Sequence, residues 1–511
     1  MLPHPLPDRF RPALLALSLA LALPAWAAAP EDRLPESAAA AASAATPLLP
    51  MSWLRAGPGQ AKPADGAVLA QWWQQFDDAD LSALVREALA RNTDLRVARS
   101  TLAQAQAARA ATVAGARPQV GTSASASRNH SNNTNSNQFQ VGLSASWNPD
   151  LNGSQQAAID AAGADVAVAT QDLHATQVSL AAEVGLAYLG LRDAQARQRI
   201  TQASLDNFED SSQLVSWRVQ AGLASGLDLD QARLSTEQTR ASLPSLTTEV
   251  AQYESQLALL TGRSLQALQG SLAQVSAMPN TEPLVDRLAV GVPADLLRQR
   301  PDLRAAEASV AAQWSRRDQT RREGLPAFSL SGSAGLQALT LAGLGASGAG
   351  IASLAAAFSW QLFDGGQREA LVAQQDAALD ATRIQYEAVV LTALKDVEDS
   401  LVAVRGSRER VGTLRKAATA AQNVFDATRQ RHQAGLIDTA SLLEAQRNLL
   451  STQTSLQSTQ TELSQNLVQL YKALGGGWTP DGETAATAPS AKSTAKSTAS
   501  QPTASSPVAS R

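Results

Sequence analysis

Four carboxylates, Asp228, Asp230, Asp438 and Glu444, and two arginines, Arg218 and Arg431, surround a phrase that the chain uses twice. It reads "VQAGLASGLDLDQARL" at 219–234 and "HQAGLIDTASLLEAQR" at 432–447. Acid and base in this setting offer helix capping, ion pairing or a charged constriction. Asp228 and Asp438 stand where a helix restarts after the glycine, and there a carboxylate caps free N–H groups and meets a favourable helix dipole. Arg218 and Arg431 occupy equivalent places just before each turn. Each is placed to pair with a nearby carboxylate, a contact worth only ~0–1 kcal/mol when exposed. Several such pairs across an oligomer would bias a closed state.

Covalent chemistry has no residues to run on. Cysteine is absent, which excludes a disulfide framework, thiolate metal sites, thiol nucleophiles and a lipid-modified N-terminal cysteine. The histidines stand at 4, 130, 174 and 432, too scattered for a metal cluster. Gly343-x-Gly345-x-x-Gly348 formally matches a dinucleotide fingerprint. That fingerprint needs a following helix to meet the pyrophosphate, and here an alternating strand-like segment follows. No enzyme activity and no cofactor are expected, and a net charge of −4 argues against a nucleic-acid partner.

The elements that carry these residues come in duplicate. Gln220 and Gln433 are 213 residues apart, and the same offset aligns Gly222 with Gly435, Leu229 with Leu442, Trp147 with Trp360 and Gly262 with Gly475. Upstream, "DLRVARSTLA" at 94–103 meets "DLRAAEASVA" at 302–311 with an offset of 208, which also aligns Pro118 with Pro326. The second copy therefore holds five extra residues between Pro326 and Trp360, a length change that belongs in a loop tip. An internal repeat is the first feature to settle when assigning a fold. The copies are expected at 71–270 and 271–478.

Each copy runs in the same order. An Ala-rich helix (94–117; 302–325) ends before proline, which disfavours helix in the residue preceding it. A β-hairpin follows (118–149; 326–363), then a very long helix (154–220; 367–433), the glycine turn, and a returning helix (227–260; 439–474). Alternation marks the strands: Phe139, Val141, Leu143, Ala145 and Trp147 are separated by Gln140, Gly142, Ser144 and Ser146. Leu354, Ala356, Phe358, Trp360 and Leu362 alternate in the same way, as do Phe328, Leu330, Ala334 and Leu336. The first strand, 119–127, is weaker. "RNHSNNTNSN" and "LAGLGASGAG" have hairpin-loop compositions.

Such strands either bury one face on a soluble core or turn it to lipid with aromatics near the ends of the apolar band. Phe139, Trp147, Phe358 and Trp360 are so placed and are expected to face the membrane. A 67-residue helix is ~100 Å long at 1.5 Å per residue, well beyond ordinary globular helices, and these helices are too polar to cross a bilayer. Lipid tolerates no open sheet edge, and four strands cannot close a barrel. The chains must pool strands, eight as a dimer or twelve as a trimer.

The ends are simpler. Arg9 and Arg11, an apolar run at 13–23 and Ala25-Trp26-Ala27 form a signal peptide pattern, 1–27. Segments 28–70 and 479–511 are rich in Ala, Ser, Thr and Pro and have little to bury.

With these residues placed, the chain resembles outer-membrane efflux proteins of the TolC/OprM type, the exit ducts of tripartite pumps. The resemblance rests on Trp72-Trp73 with Phe76, "LVREALARNTDLRVA" at 84–98, "VPADLLRQRPDLRAAE" at 292–307, "SWNPDLNG" at 146–153, "SWQLFDGGQ" at 359–367 and the two QAGL turns. It covers roughly 71–478 and is nearest to the lipoprotein-rich branch serving resistance-nodulation-division pumps, although the acylated cysteine of that branch is absent. It implies an α+β membrane protein of the outer membrane of a Gram-negative bacterium, and because the chain has no cysteine no lipid anchor is expected. The implied assembly is a homotrimer sharing a 12-stranded β-barrel above a long periplasmic α-helical barrel. The implied partners are a periplasmic adaptor, an inner-membrane pump and outer-membrane lipid. Glu444 falls where the family has an acidic residue narrowing the periplasmic entrance; repeated around a trimer it becomes a ring favouring cations. Asp228, Asp230 and Asp438 are further entrance candidates, Arg218 and Arg431 gate residues, and Gly222, Leu223, Gly435 and Leu436 adaptor-docking turns. The alternative is a structural or adhesive trimeric coiled-coil surface protein, against which two hairpins splitting each helical copy speak.

Overall fold

The computed structural model describes residues 53–54, 66–131, 134–272, 279, 281–287 and 299–478. The expected signal peptide, most of segment 28–70, the 479–511 tail and the "VPADLLR" part of the second signature lie outside the described residues.

A short helix, Gly66–Ala70, and a 3-10 turn, Trp72–Phe76, lead into α1 (Ala79–Arg91) and α2 (Thr93–Gly115). Then come β1 (Gln119–Ser131), β2 (Thr134–Trp147), α3 (Ser154–Gln220) and α4 (Gly226–Thr261). After short helices Leu265–Leu272 and Glu282–Arg287, the chain continues as α5 (Pro301–Arg322), β3 (Ala327–Ala338), β4 (Gly350–Ser359), α6 (Gln367–Gln433) and α7 (Thr439–Ala473). Both α3 and α6 run for 67 residues.

The strands form one antiparallel sheet in the order β1-β2-β3-β4, with β1 and β4 as its edges. Register sorts the side chains. One row across the sheet is Val120, Ala145, Gly332 and Leu354; the next is Gly121, Ser144, Ser333 and Ser353. Because successive side chains alternate faces, the large apolar strand residues other than Ile351 fall on one face, among them Phe139, Val141, Leu143, Trp147, Phe328 and Phe358. Ser, Gly and Gln dominate the other, where Ser333 and Ser353 share a 2.8 Å hydroxyl contact. None of the strand residues whose burial is described is buried. The apolar face has no core to rest on.

Two boundaries differ from expectation. "RNHSNNTNSN" is mostly strand, since Arg128 pairs with Asn137 and His130 with Asn135. A polar strand keeps its ladder wherever its side chains are solvated, so composition alone misread it as loop. β4 stops at Ser359, which leaves Trp360 and Leu362 beyond the sheet. The glycine run of the formal nucleotide fingerprint makes a 3-10 turn, Ala342–Gly345, and is followed by β4.

The long helices pack as paired coils: α3 against α2, α4, α5 and α7, and α6 against α5 and α7. The main core lies around Trp72, which stacks on Tyr471 at 5.7 Å and meets Trp73 and Phe76 edge-on. Tyr188, Leu189 and Leu191 of α3 and Leu81, Leu84 and Val85 of α1 complete it. Gly185 lets α3 approach this cluster, since a Cβ there would lie 2.8 Å from the Trp72 ring. Arg192 is buried in the same region, paired with Asp80 at 2.9 Å and lying over the Tyr188 ring. Burial and the Asp78 carboxylate that accepts its hydroxyl push the Tyr188 phenol up. Toward the turns the core thins to two small clusters, Phe208 with Ala232 and Leu443, and Phe425 with Leu442 and Leu449. Among the described residues no helix is long and apolar enough to cross a membrane.

Candidate functional site

The two helix-reversal turns are built alike. α3 ends with Ala221 N–H donating to Trp217 O, Gly222 N–H to Val219 O and Leu223 N–H to Arg218 O. α6 ends with Ala434 to Gln430 O, Gly435 to His432 O and Leu436 to Arg431 O. Gly222 and Gly435 both take φ +74°, the left-handed conformation that closes a helix end and that glycine adopts without a β-carbon clash. Leu223 and Leu436 project into solvent at 78% and 74% exposure.

The restarts differ. At α4, Ser225 and Asp228 form a reciprocal capping box: Ser225 Oγ accepts from Asp228 N–H, and Asp228 Oδ2 accepts from Ser225 N–H at 3.0 Å. At α7, Asp438 Oδ1 accepts from Ser441 N–H at 3.0 Å. The Ser441 hydroxyl and this N–H together hold the Asp438 carboxyl below its usual range. Asp230 is exposed, 3.8 Å from Arg233. Glu444 stands in the second turn of α7, exposed, accepting from Arg447 at 3.0 Å and Asn448 at 3.2 Å on its own helix.

The arginines behave differently from the carboxylate pairing expected of them. Within the chain, and among the described residues, neither Arg218 nor Arg431 forms an ion pair. Arg218 instead crosses to the other turn. Its Nη2 donates to the His432 carbonyl at 2.9 Å and its Nη1 lies 3.2 Å from His432 Nε2. The cause is geometric: the His432 carbonyl, which already accepts from Gly435 N–H, has a second lone pair that the guanidinium reaches.

This contact follows other polar rungs between the first-copy helix α3 and the second copy, beginning with Arg316 of α5, which pairs with Asp165 at 2.6 Å. Thr461 Oγ1 donates to Asp193 Oδ1 at 2.8 Å, and Gln446 Nε2 donates to Ser211 Oγ at 2.9 Å. His432 went unnoticed as a site residue in the sequence. The available signal was the repeat itself, which aligns His432 with Val219, a polar residue where the other copy has an apolar one. Among the described residues no group of three His, Asp or Glu could hold a metal ion.

At the other end of the helices, Phe358 and Trp360 are 58% and 55% exposed, while Phe139 and Trp147 are partly covered. Trp147 Nε1 donates to Ala116 O at 3.2 Å, and Phe358 meets Phe328 edge-on at 5.1 Å.

The family model described as outer membrane efflux protein matches residues 84–263 and 292–476. The chain is 30% identical over 460 residues to the pyoverdine export outer membrane protein OpmQ of Pseudomonas aeruginosa, covering 84% of this chain and 92% of that protein. It is also 30% identical over 431 residues to the toluene efflux pump outer membrane protein TtgC of Pseudomonas putida, covering 81% and 87% respectively. Among solved structures, the outer-membrane channel OprN matches with a TM-score of 0.76 and 31% identity, over 88% of this chain and 99% of that one.

Proposed function

The chain belongs to the outer membrane efflux protein family, and from that premise we propose that it is one subunit of a trimeric exit duct with two helix-hairpin copies per chain. It is an outer-membrane efflux channel rather than an enzyme, and its large helical part lies in the periplasm. It works in a tripartite pump, with an adaptor and an inner-membrane partner. The proposed inner-membrane partner is of the resistance-nodulation-division class.

The observation that carries the shared-barrel reading is the sheet, and the number three is carried over from the family resemblance. The sheet's large apolar residues other than Ile351 share one face on which none is buried, and β1 and β4 are edges with no further strand among the described residues. Lipid demands closure of every edge, and three such sheets joined edge to edge supply twelve strands with the Ser, Gly and Gln face lining water. The ~100 Å helices then form the wall of the periplasmic tunnel, and the two glycine turns lie at its entrance.

In this reading Gly222, Leu223, Gly435 and Leu436 are the docking turns for the adaptor. Glu444 supplies a carboxylate ring, and Asp230 is a further entrance candidate. Asp228 and Asp438 serve first as helix caps. Arg431, exposed and without an ion pair among the described residues, is the gate arginine available to a neighbouring subunit. OpmQ and TtgC are named for pyoverdine and toluene, and this chain is equally identical to both, so likeness does not name its cargo.

The test is membrane fractionation with gel migration before and after boiling, in a strain whose drug susceptibility depends on the gene. A heat-sensitive trimer in the outer membrane, required together with an adaptor for resistance, is expected. A monomer released in soluble form would end the reading.

A further inference from the structure

We infer that His432 and Arg218 form an acid-releasable clasp that ties the first-copy turn to the second-copy turn and so holds the periplasmic entrance closed. The inference rests on the proposed placement of these turns at the entrance. Its geometry is specific. Guanidinium has only donors, so the ring nitrogen 3.2 Å from Arg218 Nη1 must accept. That fixes the proton on Nδ1 and makes the imidazole neutral in the clasped state. The ring is fully buried, and Nδ1 has no hydrogen-bond partner among the described residues. Thr439 Oγ1, from α7, lies 3.4 Å from Nε2 and closes the remaining side.

Protonation turns Nε2 into a donor aimed at another donor. It also places a second positive charge beside Arg218 in a site closed to water. The charged groups facing the ring are Arg218 from α3 and Asp438 at the start of α7. Burial and Arg218 hold the imidazole below its ordinary range, and Asp438 opposes them without cancelling them. A depressed histidine stabilises the state that buries it above its ordinary value of ~6.5, and that stabilisation is lost as pH falls below it. One proton per chain shifts the clasp equilibrium by up to about tenfold per pH unit within that window. The first copy has Val219 at the equivalent position, so each chain carries one clasp and the switch is not duplicated.

The full-length protein allows a direct test because it has no native cysteine. Cysteines placed at the exposed Gln220 and Gln433 carry spin labels on the two turns, and pulsed dipolar spectroscopy reads their separation at pH 8 and pH 5. Open probability is recorded in planar bilayers over the same range, and heat-sensitive migration verifies assembly of each variant. The natural turns should separate and the pore open more often in acid. His432→Gln, whose amide oxygen still accepts from Arg218 without titrating, should hold both readouts at their pH 8 values. Arg218→Met should read as separated at both pH values. An unchanged acid response in His432→Gln, or no response in the parent, overturns the clasp. Absence of any pore at any pH would instead count against the channel reading, while the label distances still decide the clasp.

Discussion

Asn92 joins two helices with one side chain. Its Oδ1 accepts from the backbone N–H of Asp94 at 2.8 Å and of Leu95 at 3.1 Å, capping α2. Its Nδ2 donates to the carbonyl of Leu260, at the end of α4, at 3.0 Å. In the second copy, Arg300 stands 208 residues on, and its Nη1 donates at 3.0 Å to the carbonyl of Ala473 at the end of α7. Arg300 has no acceptor with which to cap a helix, so Asp302 takes that role, accepting from Leu303 N–H while pairing with the guanidinium at 2.6 Å. Amide and ion pair thus perform the same clamp.

Asn92→Ala uncaps α2 and strands the buried Leu260 carbonyl, so it should destabilise the helical domain by about 2–4 kcal/mol. Asn92→Asp restores the cap but cannot donate to Leu260, and should recover only part of the loss. Denaturant unfolding followed by helical circular dichroism measures both. Equal stability of Asn92→Asp and the parent would show that the bond to Leu260 contributes nothing.

The glycines divide by what surrounds them. A β-carbon at Gly222 or Gly435 meets nothing within 4 Å, so only the +74° backbone resists substitution, at roughly 1–2 kcal/mol. Bulky residues there should leave trimers in the membrane while abolishing drug resistance. A β-carbon at Gly475 would lie 2.7 Å from the Gln299 carbonyl oxygen, and Gly475→Ala should lower the yield of trimers itself. Loss of trimers in the Gly222 and Gly435 variants would assign those glycines to folding instead of docking.

The sheet rows predict opposite outcomes for one residue type. Leu354 is 87% exposed on the apolar face, and lysine there should impair barrel assembly by about 2–4 kcal/mol if the position lies near the bilayer midplane. Lysine at Ser144, on the polar face beside Ser333, should be tolerated. Heat-sensitive migration of the two variants reports the difference, and equal tolerance would refute the assignment of faces.

How much of this was legible in the sequence depends on the interaction. β2, β3 and β4 showed themselves because a pleat forces period two on any sheet with unlike faces. β1 was faint, since Thr122, Ala124 and Ala126 differ little from the serines between them, and its face emerged only through pairing with Leu143, Val141 and Phe139. The long helices were legible in length but not in partner. Ala157, Ala161 and Ala169 are buried in α3, and an alanine-rich surface looks the same in sequence whether it is packed or solvated. Arg218 was legible as a gate candidate, while its contact was not. Carboxylates are the obvious partners for arginine, whereas a helix-terminal carbonyl 214 residues away leaves no mark of its own.

Glu444 offers the last test, and the entrance reading depends on it. Its carboxylate is 61% exposed and, among the described residues, held by Arg447 and Asn448 on the same helix. An exposed i,i+3 pair contributes ~0–1 kcal/mol, so the fold does not need this residue. If three copies of Glu444 converge on a narrow mouth, they reinforce one another within a Debye length of ~10 Å at 0.1 M salt. The pore should then prefer cations and be blocked by multivalent ones. Glu444→Gln keeps size and polarity, should leave assembly unchanged, and should weaken both cation preference and block. Arg431→Ala should raise conductance by releasing the closed state. Single-channel recording in planar bilayers reads all these quantities. A Glu444→Gln pore with unaltered selectivity and unaltered block would reduce Glu444 to a solvated helix carboxylate, and the ring would have to be sought at Asp230 instead.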